Sequence, residues 1–254
     1  MSGITAVIIT KNEEQRIRRC LDSIKDWVQE IIIIDDCSSD QTGKIATQEY
    51  KARLIVQASG NSLASLRNAG IEAVSQTWIL QMDADEVFPL KTAQAIQEAV
   101  TKDKYVAFNI LRQDCINGQS LKFVGGSYQL KLFKKSDVRY EGMIHEHLPL
   151  EGPVGNIDEP VMHHPITSTS AIITRYNFYT DVEAIQYIQK NPHLDIRKIK
   201  RQLVWKPFKL FFKHYVRNGG YKDGVPGLMW CMIHTIHPVL FWLKILEHLH
   251  LKQL

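Results

Sequence analysis

Short apolar runs alternate with amphipathic stretches through the first hundred residues. Ile4 to Thr10 is a continuous apolar run of strand length, the pattern of a parallel strand covered on both faces. Ile17, Cys20, Leu21, Ile24, Trp27 and Val28 recur at helical spacing, which predicts a helix. Glu30 to Ile34 reads as a second buried strand, closed by Asp35-Asp36, and after a helical stretch Ala52 to Gln57 reads as a third. Asn61 to Val74 predicts another helix and Trp78 to Met82 a fourth strand. Such alternation belongs to an α/β domain built on a mostly parallel sheet.

From Tyr105 the pattern changes. Tyr105 to Arg112 and Gln129 to Lys134 read as strands, with turn signals at Asn117-Gly118 and Gly125-Gly126 and no room for crossover helices, so antiparallel strands are expected. Thr169 to Gln189 is helical again. Val225 to Leu243 carries no formal charge and approaches the length of a membrane span. Pro226, Gly227, His234 and Pro238 interrupt it, which predicts one or two buried or interfacial helices.

The 254 residues suffice for one sizeable domain with an appendage, and the net charge of +4 does not itself call for nucleic acid. Cys20, Cys37, Cys115 and Cys231 are too scattered for a zinc knuckle, a CxxC redox site or a secreted disulfide framework. Met1 to Gly3 lead directly into an apolar strand without a signal-like leader, so the cytosol, at a membrane surface, is the expected compartment.

In an open parallel sheet, ligands bind outside the carboxyl ends of the strands. Three such ends are polar here: Thr10-Lys11-Asn12-Glu13, Asp35-Asp36 and Asp83-Ala84-Asp85-Glu86. Two carboxylates one residue apart suit a hard divalent cation that also takes phosphate oxygens and stabilises a departing diphosphate. No GxGxxG follows the first strand and no GxxxxGK[ST] occurs, which argues against dinucleotide-binding and P-loop enzymes. Lys11-Asn12-Glu13-Glu14 is also not the Gly-rich, lysine-bearing loop of a nucleotidyltransferase. Phosphate charge must therefore meet metal and side chains, with Arg67 of Leu66-Arg67-Asn68-Ala69-Gly70 the natural candidate. Nucleic acid would be repelled by the acidic strand ends.

Taken together, Ala6 to Glu13, Ile34 to Thr42, Leu66 to Gly70 and Leu80 to Glu86 resemble, in order and spacing, the GT-A fold glycosyltransferases of family 2. The resemblance implies that Thr10, Asn12 and Glu13 line a nucleoside pocket and that Asp36 accepts from the uracil imide. It places Arg67 against uracil or diphosphate, Asp83 near the ribose and Asp85 on a divalent cation, Mn2+ or Mg2+. Cys37 stands where the family often has glycine.

Leu132 to Lys135 and Val138 to Glu146 resemble the stretch before the catalytic base in a subset of these enzymes, which points to Glu146 as the base. His163-His164-Pro165 with Arg175-Tyr176, and Phe212 to Leu228, resemble the lipopolysaccharide-core β-1,4-glucosyltransferases. The implied reaction moves glucose from UDP-glucose to an inner-core heptose with inversion. His163 becomes a metal ligand, with His164 as competitor. The expected division is a catalytic domain over 1–190, with a nucleotide-sugar half at 1–103 and an acceptor half at 104–190, followed by a helical extension over 191–254.

That extension is basic: nine lysines and arginines and no acidic residue lie between Arg197 and Lys222. Pro207 suits the first turn of a helix. On a helical wheel Phe208, Phe211, Phe212 and Tyr215 fall opposite Lys206, Lys209, Lys213 and Arg217, the signature of a helix lying on anionic lipid. A glycolipid acceptor and peripheral attachment to the inner face of the cytoplasmic membrane are the expectations.

Overall fold

The computed structural model describes residues 3–60, 62–102, 104–116, 118–135, 139–141, 147–165 and 168–251. The chain forms two compact units, one of residues 1–113 and 127–163, the other of residues 114–126 and 164–254.

In the first unit, β1 (Ile4–Thr10), β2 (Glu30–Asp35), β3 (Arg53–Val56) and β4 (Trp78–Asp83) alternate with α1 (Ile17–Asp22), α2 (Thr42–Tyr50) and α3 (Leu63–Ala73). There follow β5 (Glu86–Val87), α4 (Leu90–Ala99), β6 (Ala107–Ile116), β7 (Gln119–Ser120), β8 (Gly126–Lys134) and β9 (Val154–His163). The sheet order is β3-β2-β1-β4-β8-β6-β9-β5, with β7 paired to the end of β6 that belongs to the second unit. β1, β2, β3 and β4 are parallel, whereas β4 meets β8, and β5 meets β9, antiparallel. The α/β arrangement expected from the sequence is therefore observed.

Successive side chains of a strand point to opposite faces, and both faces of this sheet are covered. Ile4, Ala6 and Ile8 of β1, with Trp78, Leu80 and Met82 of β4, pack against Ile17, Cys20 and Leu21 of α1, Ile45 of α2 and Ile96 of α4. Val7, Ile32, Ile34 and Ile79 face the other way, onto Ala64, Leu66 and Ile71 of α3. This double burial explains why the strands read as continuous apolar runs. Register then sets the functional edge: Thr10 lies opposite Asp35, and Ile9 opposite Asp83, so the polar strand ends converge on one rim.

Several elements differ from expectation. α1 ends at Asp22, and the bonds that follow mix three- and four-residue spacing, Ser23 N to Cys20 O at 3.1 Å and Lys25 N to Leu21 O at 3.0 Å. α4, unmarked in the sequence reading, starts after Pro89 and buries Ala93, Ile96 and Ala99. β9 was likewise unmarked, since Asp158, Glu159 and Pro160 obscure its alternation.

The second unit is chiefly helical, with α5 (Thr169–Lys190), α6 (Ile196–Phe212) and α7 (Gly224–Leu251). Ser168 Oγ accepts from Ala171 N at 3.1 Å and Asp195 Oδ1 from Arg197 N at 2.8 Å, so α5 and α6 each open on a capping side chain. Within this unit α5, α6 and α7 pack together through Ala184, Ile199, Trp242 and Ile245. Pro207 sits inside α6 and not in its first turn, since the helix already begins at Ile196. Residues 225–243 belong to one continuous helix with Pro238 inside it. Gly220–Leu249 is long and apolar enough to cross a membrane by length and composition, with 33% of its most apolar window buried. Asp223 anchors the turn before α7, accepting from the backbone of Lys122, Phe123 and Val124 at 2.8, 3.0 and 3.2 Å.

Candidate active site

The rim above β1, β2 and β4 is built by side chains that tie the strand ends together. Thr10 is buried and donates its hydroxyl to Asp35 Oδ1 at 2.9 Å, while its carbonyl accepts from Asp36 N at 2.8 Å. Thr10 thus fixes the two aspartates from beneath. Asn12, at φ 56°, takes Ser39 N on its amide oxygen at 2.8 Å and donates its own N–H to Ser38 Oγ at 2.8 Å. Asp36 accepts from Ser59 N at 2.7 Å and from Lys11 Nζ at 2.9 Å. Burial pushes the Asp36 carboxyl up, but the Lys11 and Ser59 hydrogen bonds outweigh it and hold the group below its ordinary value. A carboxylate offers about four acceptor sites, so Asp36 retains capacity for a further donor.

Glu13 receives two hydrogen bonds from Arg16, whose Nη1 also lies 3.8 Å from Asp85 Oδ2. Arg16 therefore links the first strand end to the acidic triplet. Arg67 on α3 carries its guanidinium 5.2 Å from the Tyr140 ring centroid. Its neighbour Asn68 clasps the same residue through the backbone: Tyr140 N donates to Oδ1 at 2.7 Å, and Nδ2 donates to Tyr140 O at 3.1 Å. Gly70 explains the end of this motif. A Cβ there would stand 2.4 Å from Val7 Cγ1, so glycine lets α3 lie close on β1 and brings Arg67 to the rim.

The carboxylates of the triplet occupy different environments. Lys131 of β8, only 3% exposed, donates to Glu86 Oε2 at 2.7 Å and lies 3.7 Å from Asp83 Oδ2. Burial pulls the Lys131 ammonium down, but Glu86 and Asp83 more than reverse this and keep it charged. Desolvation would raise Asp83; the positive charge of Lys131, Arg67 and Arg112 prevails and lowers its pKa to about 2. Asp83 is thus an anion throughout the neutral range.

Asp85 stands apart. Its Oδ2 lies 3.5 Å from His163 Nε2, and its Oδ1 is buried with no hydrogen-bond partner among the described residues. Pairing of β5 with β9 creates this neighbourhood, since Glu86 sits opposite His163 in the register. Glu86 Oε1 is likewise buried without a hydrogen-bond partner among the described residues, although Lys131 holds its Oε2. An unmatched buried acceptor costs about 1–3 kcal/mol, a cost that a divalent cation would offset. Carboxylate oxygen and imidazole nitrogen suit such an ion. Among the described residues no group of three or more His, Cys, Asp or Glu could hold a metal ion.

The structure thus gathers Thr10, Asn12, Glu13, Asp36, Arg67, Asp83, Asp85 and His163 within the first unit. Glu146, the expected base, lies outside the described residues. Arg16, Asn68 and Lys131 were missed. A lysine amid the apolar alternation of Leu130, Leu132 and Phe133 was the available signal for the last of these.

A family model and named relatives put this sheet, with its acidic carboxyl ends, among the glycosyltransferases. The chain belongs to glycosyl transferase family 2, whose model matches residues 5–143. It is similar to an uncharacterised glycosyltransferase of Rickettsia felis, 27% identical, covering 84% of this chain and 80% of that one. It is also similar to the lipopolysaccharide core biosynthesis glycosyltransferase LpsC of Rhizobium meliloti, 25% identical over 98% of this chain and 94% of that one. Among solved structures, S. aureus TarS in complex with UDP-GlcNAc resembles it with a TM-score of 0.49 and 14% identity, covering 93% of this chain and 81% of that one.

Proposed function

We propose that this glycosyltransferase moves glucose from UDP-glucose, with inversion and with a divalent cation (Mn2+ or Mg2+), onto an inner-core heptose of lipopolysaccharide at the inner face of the cytoplasmic membrane. The observation that carries the donor half of this reading is the Asp85–His163 pair, with its unpartnered Asp85 oxygen beside an anionic Asp83. The acceptor half draws on the likeness to LpsC, which extends over nearly the whole of both chains.

Asp85 and His163 would hold the cation, which supplies Lewis-acid stabilisation to the departing diphosphate. Asn12, Glu13 and Asp36 would orient the nucleoside, Asp36 by accepting from the uracil imide. Arg67 would face uracil or diphosphate, and Asp83 the ribose. Thr10 holds Asp35 and Asp36 in place. Glu146 would take the proton of the attacking hydroxyl, help worth about 10²–10⁴-fold in rate.

Donor hydrolysis measured across UDP- and GDP-sugars, followed by transfer to a heptose-bearing core glycolipid, tests the reading. Turnover of UDP-glucose should exceed that of the other donors. A clear preference for a GDP-sugar, or for a polyprenyl phosphate or peptide acceptor, overturns it.

A further inference from the structure

α6 separates its apolar residues into two sets. Ile199 and Leu203 turn inward onto the cluster of Ala184, Trp242 and Ile245. Trp205, Phe208 and Phe212 turn out and are 58%, 70% and 63% exposed. Exposure on this scale departs from the arrangement expected of the sequence, in which the four aromatic residues form one stripe opposite the lysines. Phe211 and Tyr215 instead pack inward, their rings stacked at 5.1 Å against the cluster of Trp230 and Cys231. The split begins within α6 itself, between Phe211 and Phe212, and a π turn over Lys213–Arg217 follows it.

The outward face is also basic. Arg201 and Lys209 stand one helical turn before and after Trp205, hence on its side of the helix. With Gln202 and Lys206 they line a groove of about 550 Å³ beside the indole. Lys206 is steered to the groove's edge by the Trp242 ring, 5.6 Å from its ammonium. No acidic residue occurs anywhere in α6.

Exposed aromatic residues interleaved with uncompensated cations do not suit water, an apolar protein groove or a neutral surface. They suit an interface where rings reach the acyl boundary while ammonium and guanidinium groups stay among phosphates. We infer that the outward face of α6, formed by Arg201, Trp205, Phe208, Lys209 and Phe212, docks on an anionic phospholipid bilayer, with lipid phosphate drawn into the Arg201–Lys209 groove. This rests on the membrane-face reading of the acceptor, but its test needs no turnover.

The test is co-sedimentation of the full chain with vesicles of phosphatidylcholine alone or with phosphatidylglycerol, at low and high salt. Binding should require the anionic lipid and fall with salt. Arg201→Gln with Lys209→Gln should weaken it about 25-fold, since each basic residue near such a surface contributes about fivefold. Trp205→Ser with Phe208→Ser should weaken it similarly, and neither pair should alter hydrolysis of UDP-sugar in detergent solution. Trp205 is the one exposed tryptophan of five, so brominated acyl chains should quench wild-type fluorescence and spare Trp205→Phe. Equal binding to neutral vesicles, attachment through α7 that ignores all these variants, or a salt-stable dimer that the variants dissociate would each overturn the proposal. Intact donor hydrolysis with no vesicle binding would overturn the docking face and leave the glycosyltransfer reading standing.

Discussion

His163 Nε2 stands 3.5 Å from Asp85 Oδ2, across the antiparallel pairing of β9 with β5. The two side chains meet because Glu86, next to Asp85, is the register partner of His163. Asp85→Ala and His163→Ala should each abolish cation-dependent UDP binding while leaving the fold intact. Calorimetric titration of UDP with and without manganese reads this directly. Equal UDP affinity in EDTA, or a fully active Asp85→Ala enzyme, would sink the cation assignment.

Lys131 balances two carboxylates from inside the sheet. Replacing it with methionine leaves Glu86 buried and unpaired, so Lys131→Met should cost about 3–5 kcal/mol of stability. Urea denaturation measures the loss. Adding Glu86→Gln should restore part of it, whereas an unchanged midpoint in the single variant would show that the ion pair contributes nothing.

Gly70 permits the close approach of α3 to β1. Gly70→Ala places a methyl 2.4 Å from Val7 Cγ1 and should destabilise the protein by about 1–3 kcal/mol. The double variant Gly70→Ala with Val7→Ala should recover much of the loss in thermal melts, because the clash lies with that one side chain.

Asn68 holds Tyr140 through both backbone groups, and Glu141 and His147 exchange hydrogen bonds at 3.0 Å each, closing the chain on either side of residues 142–146. Asn68→Ala should lower kcat about 10- to 100-fold by loosening Tyr140, with a smaller effect on UDP affinity. Glu146→Gln should go further, at least about a hundredfold in transfer with donor binding intact. Equal losses in kcat and UDP affinity for Asn68→Ala would point instead to a collapsed donor site.

Asp36 has a folded-state pKa below its unfolded one, owing to Lys11 and Ser59, which outweigh burial. Its contribution to stability is therefore fully present above the unfolded value of about 3.9 and is lost as pH falls through the folded value. Asp36→Asn should flatten the acid limb of a stability profile recorded from pH 5 downward. If the wild type and the variant lose stability in parallel, Asp36 is not part of that limb.

β1, β2 and β4 were legible because both of their faces are covered, so apolar runs stand out against polar ends. Asp83-Ala84-Asp85 was legible because it stands at the end of the apolar β4, and Leu66-Arg67-Asn68-Ala69-Gly70, in the middle of α3, because of its resemblance to the family. β9 was hidden by Asp158, Glu159 and Pro160, although it delivers His163 to the site. Lys131 was hidden for a different reason. Its environment comes from β4 and β5, and periodicity along β8 cannot report which carboxylates lie across the sheet. On α6, wheel geometry foresaw a basic aromatic helix but not the Trp230–Cys231 cluster against which Phe211 and Tyr215 pack, because that contact comes from another helix.

The β5–β9 pairing also orders events during synthesis. β9 meets β5 only after the whole stretch from Glu86 to His163 has been made, whereas β1 to β4 and their pairings lie wholly ahead of β9 in the chain. Asp83 and Asp85 therefore leave the ribosome well before the imidazole that stands beside them in the finished protein. A nascent or prematurely ended chain presents the acidic rim without His163. Possession of the Asp85–His163 pair thus marks a chain in which translation has passed β9 and β9 has met β5, with α5, α6 and α7 lying further along the chain.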